Sequence, residues 1–289
     1  MVFLNGKLLP VEQASVSVLD RGFIFGDGIY ELVPVYSRVP FRFDEHLARL
    51  ERSLGEAKIR NPYSRAQWRG HIHGLIDAQS FEDQGVYFQV TRGAAKRDHA
   101  FPKNIEPTVF MMSNPLVNPP QAQVERGGAA VSAPDNRWLR CDIKSISLIG
   151  NVLLRQLSAE AEAAETILFR DGQLTEASAS NVFIVRRGVI QSPPKSNLIL
   201  PGITYDVIAE LARADNLPIE FKSITEEEVR SADEVWVTSS SKEVFPIVSL
   251  DGKQIGDGRP GPVFRRMYQL YQDFKQKVMR SGKREAISA

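Results

Sequence analysis

The sequence predicts a mixed α+β / α/β fold in two domains, a small N-terminal α/β domain over residues 1–119 and a larger C-terminal domain over residues 120–289. Three observations lead there. Stretches of period-two alternation outnumber stretches of helical period and come in pairs joined by short turns, which favours antiparallel or mixed sheets over a doubly wound parallel one. No G-x-G-x-x-G opens a helix after a strand, so a dinucleotide-binding fold lacks its phosphate loop. Asn114-Pro115-Leu116-Val117-Asn118-Pro119-Pro120-Gln121 interrupts both periodicities and marks the boundary.

Taken along the chain, Met1–Pro10 reads as strand, turn and strand around Asn5-Gly6. Asp44 through Lys58 reads as a helix with Asp44 as N-cap and Leu47, Leu50, Leu54 and Ala57 on one face. Val86–Thr91 and Thr108–Met112 alternate as strands. The run Trp138–Ser145 is strand-like and precedes a helical pattern over Ser147–Glu165. Around it come a strand over Ala129–Ala133, a hairpin over Ile167–Leu174 turning at Asp171-Gly172, and a second hairpin over Asn181–Ile190. Helices follow over Gly202–Ala214 and from Thr225, where Thr225 and Glu228 have the spacing of a capping box. Glu234–Thr238 is a strand, and an amphipathic helix over Gly261–Met279 ends the pattern.

With 289 residues, 43% hydrophobic and 25% charged, the chain falls among ordinary globular proteins. A net charge of +1 with acids and bases interleaved gives no reason to expect nucleic acid or an anionic membrane as partner. The densest basic stretch, Lys275 to Arg284, reads as a solvated helix face and a frayed terminus. The start lacks the apolar segment of a signal peptide, and no apolar run approaches the roughly 18 residues of a membrane span. The single cysteine, Cys141, cannot form an intrachain disulfide and reads as a small buried hydrophobe; a cytoplasmic location is expected. His71 and His73 point to different faces of a helix, so no metal site is expected.

Chemistry concentrates in a few short segments. Lys144 precedes the Ser147 helix, and Glu176 lies in Leu174-Thr175-Glu176-Ala177-Ser178-Ala179-Ser180-Asn181. A lysine amine that must act as nucleophile or base needs an environment favouring its neutral form, and an acid aimed at a pyridine nitrogen keeps that nitrogen protonated. A phosphate needs amides at a helix start, hydroxyl donors and a fixed cation. Pro201-Gly202-Ile203-Thr204, Thr238-Ser239-Ser240-Ser241 and Arg49 can supply these.

In this order, together with Asp20-Arg21-Gly22 and Phe25-Gly26-Asp27-Gly28-Ile29-Tyr30-Glu31, the segments resemble the fold-type IV pyridoxal-phosphate aminotransferases, and among them the D-amino-acid enzymes. The resemblance implies pyridoxal 5'-phosphate carried covalently by Lys144, with Glu176 on the pyridine nitrogen and Leu200 packed against the ring. Arg49, Ile203, Thr204, Ser239 and Ser240 would hold the phosphate, and the active site would lie between the domains. Arg97-x-His99 matches the carboxylate-binding signature of the D-amino-acid enzymes. Tyr30 would complete the trap, with the Arg97 loop contributed by the partner in a homodimer. The expected reaction is transamination between D-amino acids such as D-alanine or D-glutamate and 2-oxo acids such as pyruvate or 2-oxoglutarate. Branched-chain L-aminotransferases, (R)-amine aminotransferases and aminodeoxychorismate lyases share the fold and remain the alternatives. Ala179 is a departure, since relatives can carry a further hydroxyl there.

Overall fold

Alternating apolar residues before residue 117 build an antiparallel sheet of six strands in the order β2-β1-β6-β5-β3-β4. The structure is a computed structural model and describes residues 1–281. The strands are β1 (Val2–Leu4), β2 (Lys7–Leu9), β3 (Gly28–Tyr36), β4 (Val39–Pro40), β5 (Gln84–Thr91) and β6 (Thr108–Pro115). Asn5 at φ 47° and Gly6 at φ 90° make the expected tight turn between β1 and β2. A short helix α1 (Arg21–Phe25) leads into β3, and α2 (Phe43–Glu56) and α3 (Arg65–Asp77) follow β4. One sheet face supplies Val33, Val35, Val86, Phe88 and Val90; it packs on Leu47, Leu50 and Leu54 of α2 and Trp68, Ile72, Leu75 and Ile76 of α3.

Two local expectations change. Asp44 is not the N-cap of α2: that position is Arg42, at φ 46°, and Asp44 lies in the first turn beside Glu45, where carboxylates complement the helix dipole. The run Trp138–Ser145 forms no strand. Its end borders β3 instead, through an isolated bridge between Ile29 and Ser145 and hydrogen bonds from Tyr30 N–H to Lys144 O (2.9 Å) and from Ile146 N–H to Gly28 O (3.0 Å). Ile143–Leu148 therefore belongs to the first compact unit, with Met1–Leu116 and the described residues from Met279. A boundary near residue 120 assigns Lys144 to the C-terminal domain, whereas the segment around it packs with the first unit.

The second unit, Val117–Asp142 with Ile149–Val278, is built on a mixed nine-stranded sheet. Its strands are β7 (Gly128–Pro134), β8 (Glu165–Arg170), β9 (Gln173–Ala177), β10 (Asn181–Arg186), β11 (Val189–Ser192), β12 (Ile219–Phe221), β13 (Glu234–Ser239), β14 (Glu243–Leu250) and β15 (Lys253–Gln254). The pairs β7–β8, β7–β14 and β11–β12 are parallel and the rest antiparallel. Both expected hairpins form, with Asp171-Gly172 and Arg187-Gly188 at positive φ in their turns.

The helices are α4 (Gln121–Arg126), α5 (Ile149–Glu160), α6 (Ile203–Ala214), α7 (Glu226–Arg230) and α8 (Pro262–Phe274). The pattern over Ser147–Glu165 overshoots α5, because Glu162 takes a left-handed φ of 51° and Glu165 opens β8. Both halves of the Thr225–Glu228 capping box form at α7. The last helix gives way to a π-helical turn over Lys275–Met279. Lys283 and Arg284 of the basic stretch lie outside the described residues. No helix among the described residues is long and apolar enough to cross a membrane, and no group of three or more metal-ligating side chains occurs among them.

Candidate active site

In the first unit, the helical repeat of α2 puts His46, Arg49 and Ser53 on one buried face, and β3 brings Glu31 against His46 and Arg49. The fully buried Glu31 accepts hydrogen bonds from Arg49 Nε (2.7 Å), Arg49 Nη2 (2.8 Å) and His46 Nδ1 (2.8 Å). Burial alone would raise the Glu31 carboxyl, but the charge and forked hydrogen bonds of Arg49 outweigh it and hold the group far below the ordinary range. Burial, with the nearby charges of Arg49 and Lys144, lowers His46 against the pull of Glu31. Arg49 thus enters the site with its guanidinium plane fixed by a carboxylate.

Lys144 meets this group from the chain bordering β3. Its backbone N–H lies 3.4 Å from Ser53 Oγ, and its ammonium sits 4.2 Å from the centroid of the Tyr30 ring. Tyr30 in turn stacks on Tyr87 at 5.6 Å. At the far end of β5, Arg97 and His99 emerge on the exposed connection to β6, and both rest on Phe25, at 5.2 and 5.4 Å from its ring centre.

In the second unit, Glu176 stands on β9, buried. One of its oxygens accepts from Arg137 Nη1 at 2.6 Å; the other accepts from the Leu200 N–H at 3.0 Å and Asn181 Nδ2 at 3.3 Å. Burial pushes the Glu176 carboxyl up to about 7 against the pull of Arg137, because that arginine is shared with Asp135. For Asp135 the balance reverses: the Arg137 fork and the Thr175 hydroxyl overcome burial and draw it down to about 2. Asn181 also donates to Leu200 O (2.9 Å), and a Cβ at Gly202 would come within 2.2 Å of Asn181 Oδ1. Glycine is therefore required where the chain passes into α6, whose first two residues are Ile203 and Thr204. No side chain caps this helix. The first-turn N–H groups of such a helix have no intrahelical acceptor and suit an anion.

Ser239 ends β13 and Ser240 opens the tight connection to β14, and Ser239 Oγ accepts from the Lys242 N–H at 3.1 Å. Lys242 Nζ reaches back to Glu165 Oε2 (2.6 Å) and Ala164 O (2.9 Å). Glu165 also accepts from the hydroxyls of Ser178 and Ser180. Glu165 and Lys242 thus tie the serine connection to the segment after Glu176. Ala179 points outward between two inward serines, so the missing hydroxyl removes nothing from this network. Arg137, Asn181 and Glu165 were not read from sequence: a lone Arg two residues after an Asp, or a Glu at a strand start, carries no spacing signal until the sheet brings strands together.

The chain belongs to the class IV aminotransferases, whose family model matches residues 28–250. It is similar over almost its whole length to D-alanine aminotransferase of Bacillus licheniformis, with 40% identity covering 94% of this chain and 96% of that one. The D-alanine aminotransferase of Staphylococcus haemolyticus is 38% identical, covering 94% and 97%. Among solved structures, the branched-chain amino acid aminotransferase of Escherichia coli superposes with a TM-score of 0.89 over 99% of this chain and 96% of that one, at 23% identity, which bears on the fold alone.

Proposed function

We propose that the protein transaminates D-amino acids and 2-oxo acids with pyridoxal 5'-phosphate. The first unit offers Lys144 and Arg49 to the cofactor, and the second offers Glu176, Leu200, Ile203, Thr204, Ser239 and Ser240. The observation that carries the reading is Glu176: a buried carboxylate raised to about 7, braced on both oxygens beside the uncapped start of α6, is suited to a protonated ring nitrogen. The hydroxyls of Ser239 and Ser240, the Ile203 and Thr204 amides and the oriented Arg49 suit a phosphate. When bound, the cofactor supplies an electron sink for the electrons left when a proton leaves the substrate Cα.

This chain's residues do the rest. Lys144 Nζ would take the proton from the substrate Cα and deliver it, on the same face, to C4′ of the cofactor, with the Tyr30 ring limiting where the amine can swing. Arg97 and His99 bind the substrate carboxylate, and that contact selects the hand: with nitrogen and carboxylate fixed, only one enantiomer turns its hydrogen to Lys144.

The Arg97 loop serves a partner's site in a homodimer. Support comes from an apolar face in the second unit, where Ile149, Val152, Leu153 and Leu157 along α5 and nearby Trp138 and Leu139 are all exposed in the single chain. A second copy of this chain is the occupant that both the face and the loop call for. The single, buried cysteine supports a cytoplasmic setting.

The test is the cofactor's absorbance as D-alanine and, separately, L-leucine are added to purified protein, with pyruvate measured after D-alanine. Conversion by D-alanine far faster than by L-leucine is expected; the reverse order overturns the D-specific reading in favour of a branched-chain activity.

A further inference from the structure

The connection from Thr91 to Thr108 contains no helix or strand, yet two arginines hold it, Arg21 from α1 and Arg92 at its own start. Arg21, on α1, is 4% exposed. Its guanidinium donates to Asp98 O at 2.5 Å and more loosely to His99 O at 3.4 Å and Ala100 O at 3.5 Å, while its Nε bonds Asp27 Oδ2 at 2.7 Å. Three successive carbonyls around His99 thus converge on one planar cation. Arg21 also lies over the Phe25 ring at 4.8 Å, the same ring on which Arg97 and His99 rest.

The second arginine, Arg92, bonds Asp27 through Nε (2.7 Å) and Nη2 (3.0 Å), donates to Lys58 O and Ala57 O, and packs its guanidinium 3.7 Å from the centre of Phe101. Asp27 is one negative charge between two guanidinium groups. One positive charge remains uncompensated within that trio, beneath a loop that itself carries Arg97. Gly93, at φ 109°, starts the turn, where a Cβ would come within 2.0 Å of Glu106 O. The loop's ends are therefore fixed by Gly93 and Arg92, and its tip by Arg21.

We propose that Arg21 is a positioning residue for substrate-carboxylate recognition, holding the backbone of residues 98–100 so that Arg97 and His99 present their side chains from a fixed frame. The proposal rests on the reading of Arg97 and His99 as the carboxylate clamp. Arg21 spends its donors on the loop's carbonyls and Asp27, so its part in binding runs through the loop. A flexible loop must be ordered at each binding event, which weakens substrate binding more than the chemical step.

The experiment uses the holoenzyme and three variants: Arg21→Gln, Phe25→Leu and Arg97→Ala. Steady-state kinetics with D-alanine are combined with cofactor absorbance and with hydrogen–deuterium exchange of peptides covering residues 94–106. Arg21→Gln is expected to keep its cofactor, raise KM for D-alanine about tenfold with kcat changed less than about threefold, and speed exchange in those peptides. Phe25→Leu is expected to move KM the same way by a smaller factor, and it decides the matter if Arg21→Gln does not fold. If Arg97→Ala raises KM while Arg21→Gln, or Phe25→Leu in its place, alters neither KM nor exchange, the positioning role is overturned and the carboxylate clamp stands. If Arg97→Ala leaves KM unchanged, the clamp falls, and this proposal with it.

Discussion

Two buried glutamates in this protein are shifted in opposite directions, and the difference lies in how their arginines are shared. Glu31 receives both forks of Arg49 and the Nδ1–H of His46, so its charge is stabilised more than burial penalises it. Glu176 receives one arm of Arg137, which gives its other donors to Asp135; burial wins, and the carboxyl rises from about 4.5 to about 7. The consequence for stability has a definite sign. A carboxyl raised on folding favours the folded state below its unfolded value, and that contribution is lost as pH climbs from about 4.5 through about 7. Such a rise is worth roughly 3 kcal/mol. Protein stripped of cofactor and carrying Glu176→Gln should therefore gain stability relative to wild type between pH 5 and pH 8, up to about that amount, in urea titrations. A constant difference across this range would place the carboxyl's titration elsewhere. In the loaded enzyme the same substitution should slow the half-reaction with D-alanine by an amount equivalent to about 1.5–3 kcal/mol, since an amide gives the ring nitrogen no charge-assisted partner.

At the level of elements, α2 serves two purposes through one periodicity. Leu47, Leu50 and Leu54 are buried at 0%, 0% and 1% exposure against the sheet, and the adjoining face carries His46, Arg49 and Ser53. Truncation of Leu50 should therefore cost more than core stability. Leu50→Ala is expected to lose about 2–5 kcal/mol in denaturant unfolding, through lost transfer energy and the cavity left behind. It should also weaken retention of the cofactor, because Arg49 is the neighbouring residue. Unchanged cofactor release in a clearly destabilised variant would separate the helix's packing from its binding role. The helical period of α2 reads plainly in the sequence; the start of the helix did not. Asp44 has the chemistry of an N-cap, but Arg42 holds that position in a left-handed conformation, a tertiary outcome that local propensity does not contain. The overshoot of α5 has a similar cause, since the alanines and glutamates up to Glu165 suit a helix and the sheet claims the last of them.

For the molecule as a whole, assembly is the remaining issue. Four apolar side chains exposed by 44–72% on one twelve-residue helix exceed the usual scatter of surface leucines. Leu153→Glu should place a charge in the centre of that face and shift the protein toward monomer in sedimentation, with activity falling alongside. Dimers that persist with full activity would show that α5 faces water. Subunit exchange checks the same geometry from the active site. Lys144→Ala, inactive alone, and Arg97→Ala, weakened in D-alanine binding, should when mixed regain part of the wild-type activity at low D-alanine if the loop of one copy serves the other; no recovery after verified exchange would assign the loop to its own chain.

The sequence alone determined the class of fold, the hairpins at Asn5-Gly6 and Asp171-Gly172, the Thr225 capping box and the aminotransferase family. Turn and cap chemistry is local, and the family's motifs lie in short contiguous segments. What only the tertiary structure decided is how buried charges are partnered and which unit holds Lys144. The ties of Glu31 to Arg49, of Glu176 to Arg137 and of Arg21 to the carbonyls of residues 98–100 join positions 18, 39 and 77–79 residues apart. A pattern read over a turn or a strand cannot register such distances. Whether a carboxylate is raised or lowered depends on how many donors reach it after burial, and that number exists only once the strands and helices have packed.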